Sequence, residues 1–340
     1  MSSSSVSFSQ RLAAVWQRRG VLACLLLPLA LLFGVLSALR RLFFRRGWMV
    51  SSRLPVPVIV VGNVFVGGTG KTPLVLWLVA ALRDAGFVPG VISRGYGGQH
   101  GLSGAVLADS LPQEVGDEPL LIARRGGCPV FVGRDRVAAG RALLAAHPSV
   151  TVLVSDDGLQ HYRLQRAVEI VLFDERGGGN GWLLPAGPLR ESMVRRRDFT
   201  VLNGARIPSG FPADTMRMTL AGSRAESLMS RTRSVPLASL TGHILAAAGI
   251  GNPERFFRML RDHGLVIDTL ALPDHHDFSD NPFARVNADV ILITEKDAVK
   301  CVQIEALKTD PRLWVVPVAA CLDGPLAELI VEKLRGYPTT

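Results

Sequence analysis

Cysteine is scarce in this chain of 340 residues, and Cys24, Cys128, Cys301 and Cys321 show no CxxC or CxH spacing. That excludes a thiolate zinc site, argues against a disulfide framework and fits a reducing compartment. The 34 glycines lack the three-residue period of collagen. Acidic residues are missing from the first 53 positions, which carry eight arginines. Residues 54–340 hold 30 basic and 29 acidic side chains, so the net charge of +9 belongs to the N-terminal segment. A nucleic-acid-binding body is therefore disfavoured. Disorder is excluded by a composition that is 48% hydrophobic and 20% charged. Lysine is also rare, with five in the whole chain.

What the N-terminus does have is a long apolar run. Residues 21–39 carry no charge and are bracketed by Arg18-Arg19 and Arg40-Arg41. At ~1.5 Å rise per residue the run reaches roughly 28 Å, close to the ~30 Å hydrocarbon thickness. Flanking arginines can reach lipid phosphates, and Trp16 and Trp48 suit the interface. A signal peptide fits poorly, because the run is too long and Ser37-Ala38-Leu39 is not an A-x-A site. Pro28 and Gly34 leave both a spanning helix and one lying in the interface open. Five arginines follow the run and three precede it, which places the body on the cytoplasmic side.

The length suggests about two domains, and no internal repeat is visible. Strand-like runs at 58–62, 87–93, 130–132, 150–154 and 168–173 alternate with helix-like stretches at 72–85, 119–125 and 134–146. This alternation predicts an α/β fold with a doubly wound, mostly parallel sheet. Residues 203–240 are rich in Ser, Arg and Pro. A second α/β pattern follows, with strands at 244–248, 265–270, 290–294 and 313–318 and helices at 253–263 and 325–334. The expected division is an anchor over 1–54, a core over 55–205, a connector over 206–240 and a smaller α/β lobe over 241–340.

The strongest chemical signal is Val66-Gly-Gly-Thr-Gly-Lys-Thr72, set between a strand and a helix. Such glycines let successive backbone N–H groups point at phosphate oxygens, aided by the helix N-terminus. The predicted nucleotide-binding residues are Phe65, Val66, Gly67, Gly68, Thr69, Gly70, Lys71 and Thr72. Lys71 supplies a mobile charge for the phosphates and Thr72 a hydroxyl for Mg2+. The generic phosphate-loop pattern wants glycine where this chain has Phe65. A double glycine also occurs in partitioning and metal-chaperone ATPases, whose loop carries lysine where this chain has Val66; such a membrane-associated ATPase is the alternative reading.

Three other clusters carry carboxylates or histidines. Asp156 and Asp157 end a strand-like run, where Mg2+ would be held, although a solvated Asp-Asp-Gly turn reads the same way. Gly116-Asp-Glu-Pro119 is either a functional carboxylate pair or a helix N-cap. In Pro273-Asp-His-His-Asp277 consecutive residues point apart, which favours one histidine in acid–base work over two metal ligands.

Together these motifs resemble the tetraacyldisaccharide 4'-kinase family. The resemblance runs through Val61-Gly-Asn-Val-Phe-Val-Gly-Gly-Thr-Gly-Lys-Thr-Pro73, Ser93-Arg-Gly-Tyr-Gly97, Gly116-Asp-Glu-Pro119 and Val132-Gly-Arg-Asp-Arg136. It continues in Asp156-Asp-Gly-Leu-Gln-His161, Leu184-Pro-Ala-Gly-Pro-Leu-Arg-Glu191, Pro273-Asp-His-His276 and Thr294-Glu-Lys-Asp297. Leu159 stands where the family more often has Phe, and the family itself lacks glycine at position 65. The resemblance implies a P-loop kinase that uses ATP and Mg2+. It would phosphorylate the 4'-hydroxyl of a tetraacylated glucosamine disaccharide 1-phosphate, giving lipid IVA, on the cytoplasmic face of the inner membrane. It further implies Asp117 as base with His275 as partner, and Mg2+ on Thr72 with Asp156 or Asp157, Glu118 being a further candidate. Arg94, Arg190 and Glu191 would position phosphates or the lipid head group, unless the last two form a structural ion pair.

Overall fold

The computed structural model describes residues 16–95 and 103–337. Tyr96 and Gly97 of the second motif, and Arg11 of the arginine-rich segment, lie outside the described residues. The apolar run forms a short helix α1 (Val21–Leu25) and a longer α2 (Leu27–Arg45). Next come β1 (Val58–Gly62), α3 (Lys71–Asp84), β2 (Pro89–Ser93), β3 (Gly104–Ala105), α4 (Pro112–Val115) and α5 (Asp117–Gly126). They are followed by β4 (Val130–Val132), α6 (Arg136–Ala146), β5 (Val152–Asp156), β6 (Val168–Asp174), β7 (Phe199–Asn203) and β8 (Met216–Ala221). The second part begins with β9 (Arg224–Ser227), β10 (Ser234–Pro236), β11 (Ile244–Ala248), α7 (Pro253–Asp262) and β12 (Ile267–Ala271). It continues through β13 (Val290–Thr294), α8 (Glu295–Cys301), α9 (Glu305–Lys308) and β14 (Leu313–Val316), and the chain closes with β15 (Ala319–Leu322) and α10 (Leu326–Arg335).

Two sheets organise these elements. The first has nine strands in the order β15-β8-β7-β6-β1-β5-β2-β4-β3, the second six in the order β10-β9-β14-β13-β11-β12. β1 lies between β5 and β6 and is parallel to both, which buries all five of its residues. That burial explains why it reads as an unbroken apolar run instead of an alternating one. Ile59 and Val61 face a core that also holds Leu74, Val75, Leu78 and Leu82 of α3, while Val58 and Val60 face the opposite core. The second sheet repeats the scheme, with Phe256, Phe257 and Leu260 of α7 on one face and Ala298 and Cys301 of α8 on the other. The mostly parallel α/β architecture expected from the sequence is thus present.

The strand allocation departs from the expected boundaries. Residues 206–240, expected as a connector, supply β8 to the first sheet and β9 and β10 to the second. The C-terminal residues, expected in the smaller lobe, return to the first sheet: β15 pairs antiparallel with β8. Leu326, Ile330 and Leu334 of α10 then enter the core that β1 and α3 share. The physical reason is an edge and a face that local pattern does not reveal. β8 needs a partner on its outer side, and the apolar stripe of α10 completes the cover over that part of the sheet.

Burial of Ile330 is complete, so Ile330→Ala should destabilise the first sheet by about 2–4 kcal/mol. A denaturant midpoint unchanged from the native chain would show that the C-terminal return carries no stability.

Candidate active site

The carboxyl edge of the first sheet gathers the polar residues. β1 ends at Gly62 and opens into the glycine loop, β5 ends in Asp156, β6 in Asp174 and β7 in Asn203. Ligand sites of open α/β sheets lie at such an edge. The loop is tied down from several sides. Buried Asn63 donates through Nδ2 to the carbonyls of Phe65 (2.8 Å) and Gly67 (3.1 Å), and its Oδ1 accepts from Lys71 Nζ at 3.4 Å. Asn203 Nδ2 donates to the Thr69 carbonyl at 2.9 Å. Gly70, at φ +96°, lies so close to this amide that a Cβ would meet it at 2.4 Å, and it leads straight into α3. With the carbonyls of Phe65, Gly67 and Thr69 occupied, the N–H groups from Gly67 onward and the positive end of α3 are left for an anion.

Two arginines brace the same loop. Arg176 donates to the Gly68 carbonyl at 3.1 Å and Arg255, from the second sheet's α7, to that of Thr69 at 3.4 Å. Both also bind the buried carboxylate of Asp174. Gly251 completes the approach, its Cα 3.7 Å from a Cβ placed on Gly68. A cavity of about 370 Å³ opens here, lined by Gly68 to Thr72, Asn203, Arg255 and Lys296 among others. It lies between elements of the two sheets.

Across the cleft a second set of charges converges. Gly116, at φ +90°, separates α4 from α5 and sets Asp117 at the first position of α5, only 6% exposed. Asp117 Oδ2 receives His275 Nδ1 at 3.1 Å and Lys300 Nζ at 3.0 Å. Both partners come from the second sheet's side. Burial works to raise the Asp117 carboxyl, but the His275 hydrogen bond and the nearby Lys300 and Lys296 outweigh it, leaving it below the usual carboxylate range. Glu118 behaves likewise: burial works upward, and Lys296 at 3.3 Å together with Lys71 brings it below its ordinary value.

The Asp-Asp pair splits into two environments. Asp156 is 1% exposed. Burial first, then Glu118 and Asp157, push it up to about 7, against the opposing pull of Lys71 and a hydrogen bond from Ser93. Asp157, with φ +50°, faces Lys71 at 3.8 Å and Arg190 at 3.3 Å; burial works upward there too, but these cations hold it down. Asp156 Oδ1 and Asp157 Oδ1 are both buried without a hydrogen-bond partner. Orphaned hard oxygens beside Glu118 fit a Mg2+ ion, which takes few protein carboxylates and completes its shell with water and phosphate. Among the described residues no group of three or more His, Cys, Asp or Glu is arranged to hold a metal by itself.

The remaining predicted residues go separate ways. Arg190 turns to Asp157, and its N–H donates to the Val64 carbonyl at 2.7 Å. Glu191, 3% exposed, faces the N-terminal helix instead, bound to Arg41 (3.2 Å), Arg195 (3.0 Å) and Gln160 (3.0 Å). Arg94 is exposed just past β2. Phe65 lies under the Arg176 guanidinium, and the Val66 N–H donates to the Pro188 carbonyl. Sequence reasoning missed Asn63, Asp174, Arg255, Lys296 and Lys300. One signal was available for the lysines: Lys71, Lys296 and Lys300 are three of only five in the chain.

Comparison with known proteins identifies the family. The family model for tetraacyldisaccharide-1-P 4'-kinase matches residues 22–335. A tetraacyldisaccharide 4'-kinase of Janthinobacterium sp. (strain Marseille) is 65% identical over 332 residues, 96% of each chain. One of Herminiimonas arsenicoxydans is 63% identical over 336 residues, covering 95% of this chain and 94% of that protein. The crystal structure of LpxK from Aquifex aeolicus in complex with ATP superposes with a TM-score of 0.76 at 29% identity, over 92% of this chain and all of that one. A match to the family model over nearly the whole length, together with relatives 63–65% identical over almost the entire chain, leaves one assignment: the chain belongs to the tetraacyldisaccharide-1-P 4'-kinase family.

Proposed function

We propose that this chain transfers the γ-phosphoryl group of ATP to the 4'-hydroxyl of a tetraacylated glucosamine disaccharide 1-phosphate, at the cytoplasmic face of the inner membrane. The observation that carries the reading is the Asp117–His275 contact between elements of the two sheets, made next to Glu118, which lines the same cavity as the Lys71 loop. The loop N–H groups and Lys71 hold the triphosphate. Thr72, Asp156, Asp157 and Glu118 would hold Mg2+, which supplies charge neutralisation on the phosphate oxygens.

A sugar hydroxyl is a weak nucleophile and must lose its proton as its oxygen bonds to phosphorus. Asp117 takes that proton while the bond from the γ-phosphorus to the leaving ADP oxygen breaks. The lowered proton affinity of Asp117 suits a loose transition state in which the proton leaves late. His275 orients the carboxylate. Meeting only where the two parts of the chain touch, the pair selects against water as acceptor. Arg190 and Arg94 serve phosphate groups of nucleotide or lipid, and Glu191 serves by holding the anchor to the body. The alternative of a conformational ATPase gives no role to an Asp–His pair across the cleft.

The anchor is read as interfacial. α2 is long and apolar enough to cross a membrane and mostly exposed, yet it is tied to the body at both ends. Before the run, Trp16 Nε1 donates to the Pro185 carbonyl at 3.0 Å and Arg19 to that of Asn180 at 3.1 Å. After it, Arg41 pairs with Glu191, and midway a Cβ on Gly34 would meet Leu183 at 2.9 Å. A spanning helix would put its ends on opposite faces of the bilayer, where one body could not hold both. The outward face, with Leu25, Leu29, Leu32 and Leu36 exposed, enters the lipid instead. A substrate with four acyl chains stays in that same layer.

Three measurements test this reading. Asp117→Asn should lose phosphoryl transfer by ~10²–10⁴-fold while still binding nucleotide; near-native turnover would remove the base assignment. Asn63→Ala strands two loop carbonyls and should raise the KM for ATP about tenfold, an effect that nucleotide titration would show as weaker binding. In a chain stripped of its own cysteines, single cysteines at positions 20 and 48 should both react with an impermeant maleimide from the cytoplasmic side. Labelling from opposite sides would mean that the helix spans.

A further inference from the structure

We infer that Lys300 is a positioning residue of the phosphoryl-transfer site, clamping Oδ2 of Asp117 together with the turn that bears His275, so that Oδ1 is left for the sugar hydroxyl. The inference rests on the reading of Asp117 as the base. It begins from an asymmetry: Lys300 Nζ (3.0 Å) and His275 Nδ1 (3.1 Å) both contact Oδ2. Among the described residues Oδ1 makes no hydrogen bond.

A carboxylate turns easily about its last bond, because that torsion has broad, two-fold preferences. One donor would leave the plane of the group loosely defined. Two donors converging on the same oxygen fix it and keep the other oxygen's lone pairs uncommitted. The hydroxyl proton then passes to Oδ1, the oxygen–phosphorus bond forms, and the bond to ADP breaks with its electron pair leaving on the nucleotide.

Lys300 also acts on the other member of the pair. Its Nζ donates to the His276 carbonyl at 2.8 Å, the residue beside His275. His275 itself sits at φ +62°, a left-handed backbone that a non-glycine residue keeps only when its surroundings hold it there. The His275 N–H donates to the Gly249 carbonyl at 3.2 Å and Lys300 pins the next peptide, so the turn is held on both sides. A buried ammonium is costly unless paired, and Lys300 is only 6% exposed. Ties between the two sides of the cleft exist without it, through Lys296 with Glu118 and Arg125 with Glu295. What Lys300 adds is contact with the base itself.

The test uses the full-length chain in mixed micelles with Mg·ATP and the disaccharide 1-phosphate lipid, comparing Lys300→Met, Lys300→Arg, Asp117→Asn and the Asp117→Asn/Lys300→Met double variant. Lys300→Met should lower kcat ~10–100-fold with the KM for ATP within about twofold of native. Lys300→Arg should recover part of kcat. In the Asp117→Asn background, Lys300→Met should cost nothing further, because both changes remove one coupled unit. Near-native kcat for Lys300→Met overturns the inference. So does a raised KM for ATP at unchanged kcat, which would put the ammonium on the nucleotide, and so does a loss that adds in full to that of Asp117→Asn. Should the Met variant not fold, Lys300→Arg decides alone: a kcat below native at unchanged KM for ATP supports the role, and native kcat overturns it. Normal turnover by Asp117→Asn would sink the base reading, and this inference with it. An inactive Asp117→Asn beside a normal Lys300→Met sinks the inference alone.

Discussion

The contact that the site depends on is the one Asp117 makes across the cleft. Its carboxylate stands at the N-terminus of α5, while both groups that touch it, His275 and Lys300, belong to the second sheet's side. On the proposed reading neither sheet carries the reaction alone, since one side holds the phosphate loop and the carboxylates and the other His275, Lys296 and Lys300. The carboxyl edges of the two sheets face each other for that reason. Loops at such edges are free to carry polar side chains because the strands beneath them supply the stability.

Placing so many charges out of water is expensive, and their arrangement shows how the cost is met. Glu118 is offset by Lys296, Asp117 by Lys300, and Asp157 by Arg190 and Lys71. Asp156 is the exception. Deeply buried, beside two other carboxylates, it accepts a hydrogen bond from Ser93 and has its proton affinity raised to about 7. An anionic pocket that is stable only with a proton or a cation fits a site that Mg2+ completes. The phosphate loop shows the complementary logic, since the carbonyls of Phe65, Gly67, Gly68 and Thr69 are turned toward Asn63, Arg176, Asn203 and Arg255. With these carbonyls occupied, the N–H groups beyond that of Val66, which donates to Pro188, make the loop a receptor for anions.

How much of this was legible in the sequence follows the range of each interaction. The strand–loop–helix around Lys71 was visible because strand, glycines and helix are contiguous and their signals are local. The parallel architecture was visible for the same reason. β8 and β15 were not, since these are short strands at or next to a sheet edge with mixed faces, such as the exposed and half-buried residues of Met216–Ala221. The return of the last strand and helix to the first sheet depends on a pairing between residues about a hundred positions apart, which no local pattern encodes. Lys296 and Lys300 lie in Glu295–Cys301, a stretch whose mixed charges give no apolar pattern to mark it as buried, although most of it is. Asp117 and His275 were named only through resemblance; the residues alone also allowed a helix cap at Asp117 and left open which histidine of Pro273–Asp277 acts, or whether the cluster holds a metal.

The segment from Asn180 to Glu191 gives the anchor a meaning beyond tethering. On one side it receives the N-terminal helix through Asn180, Leu183, Pro185 and Glu191. On the other it is zipped to the phosphate loop, with Pro188 accepting from the Val66 N–H, Leu189 bridged to Phe65, and the Arg190 N–H bound to Val64. Arg190 and Glu191 are neighbours in sequence whose side chains serve opposite partners, Asp157 near Lys71 and Arg41 of the helix. Twelve residues therefore fix the phosphate loop relative to α2, and with α2 lying in the lipid surface, as proposed, they set the loop's height above it. For an acceptor whose acyl chains fix its own depth, that height decides whether the hydroxyl can reach phosphorus in line. A rigid connection costs less than a search by a flexible linker, because the entropy of placing the two reactants is removed when the chain folds and not at each turnover.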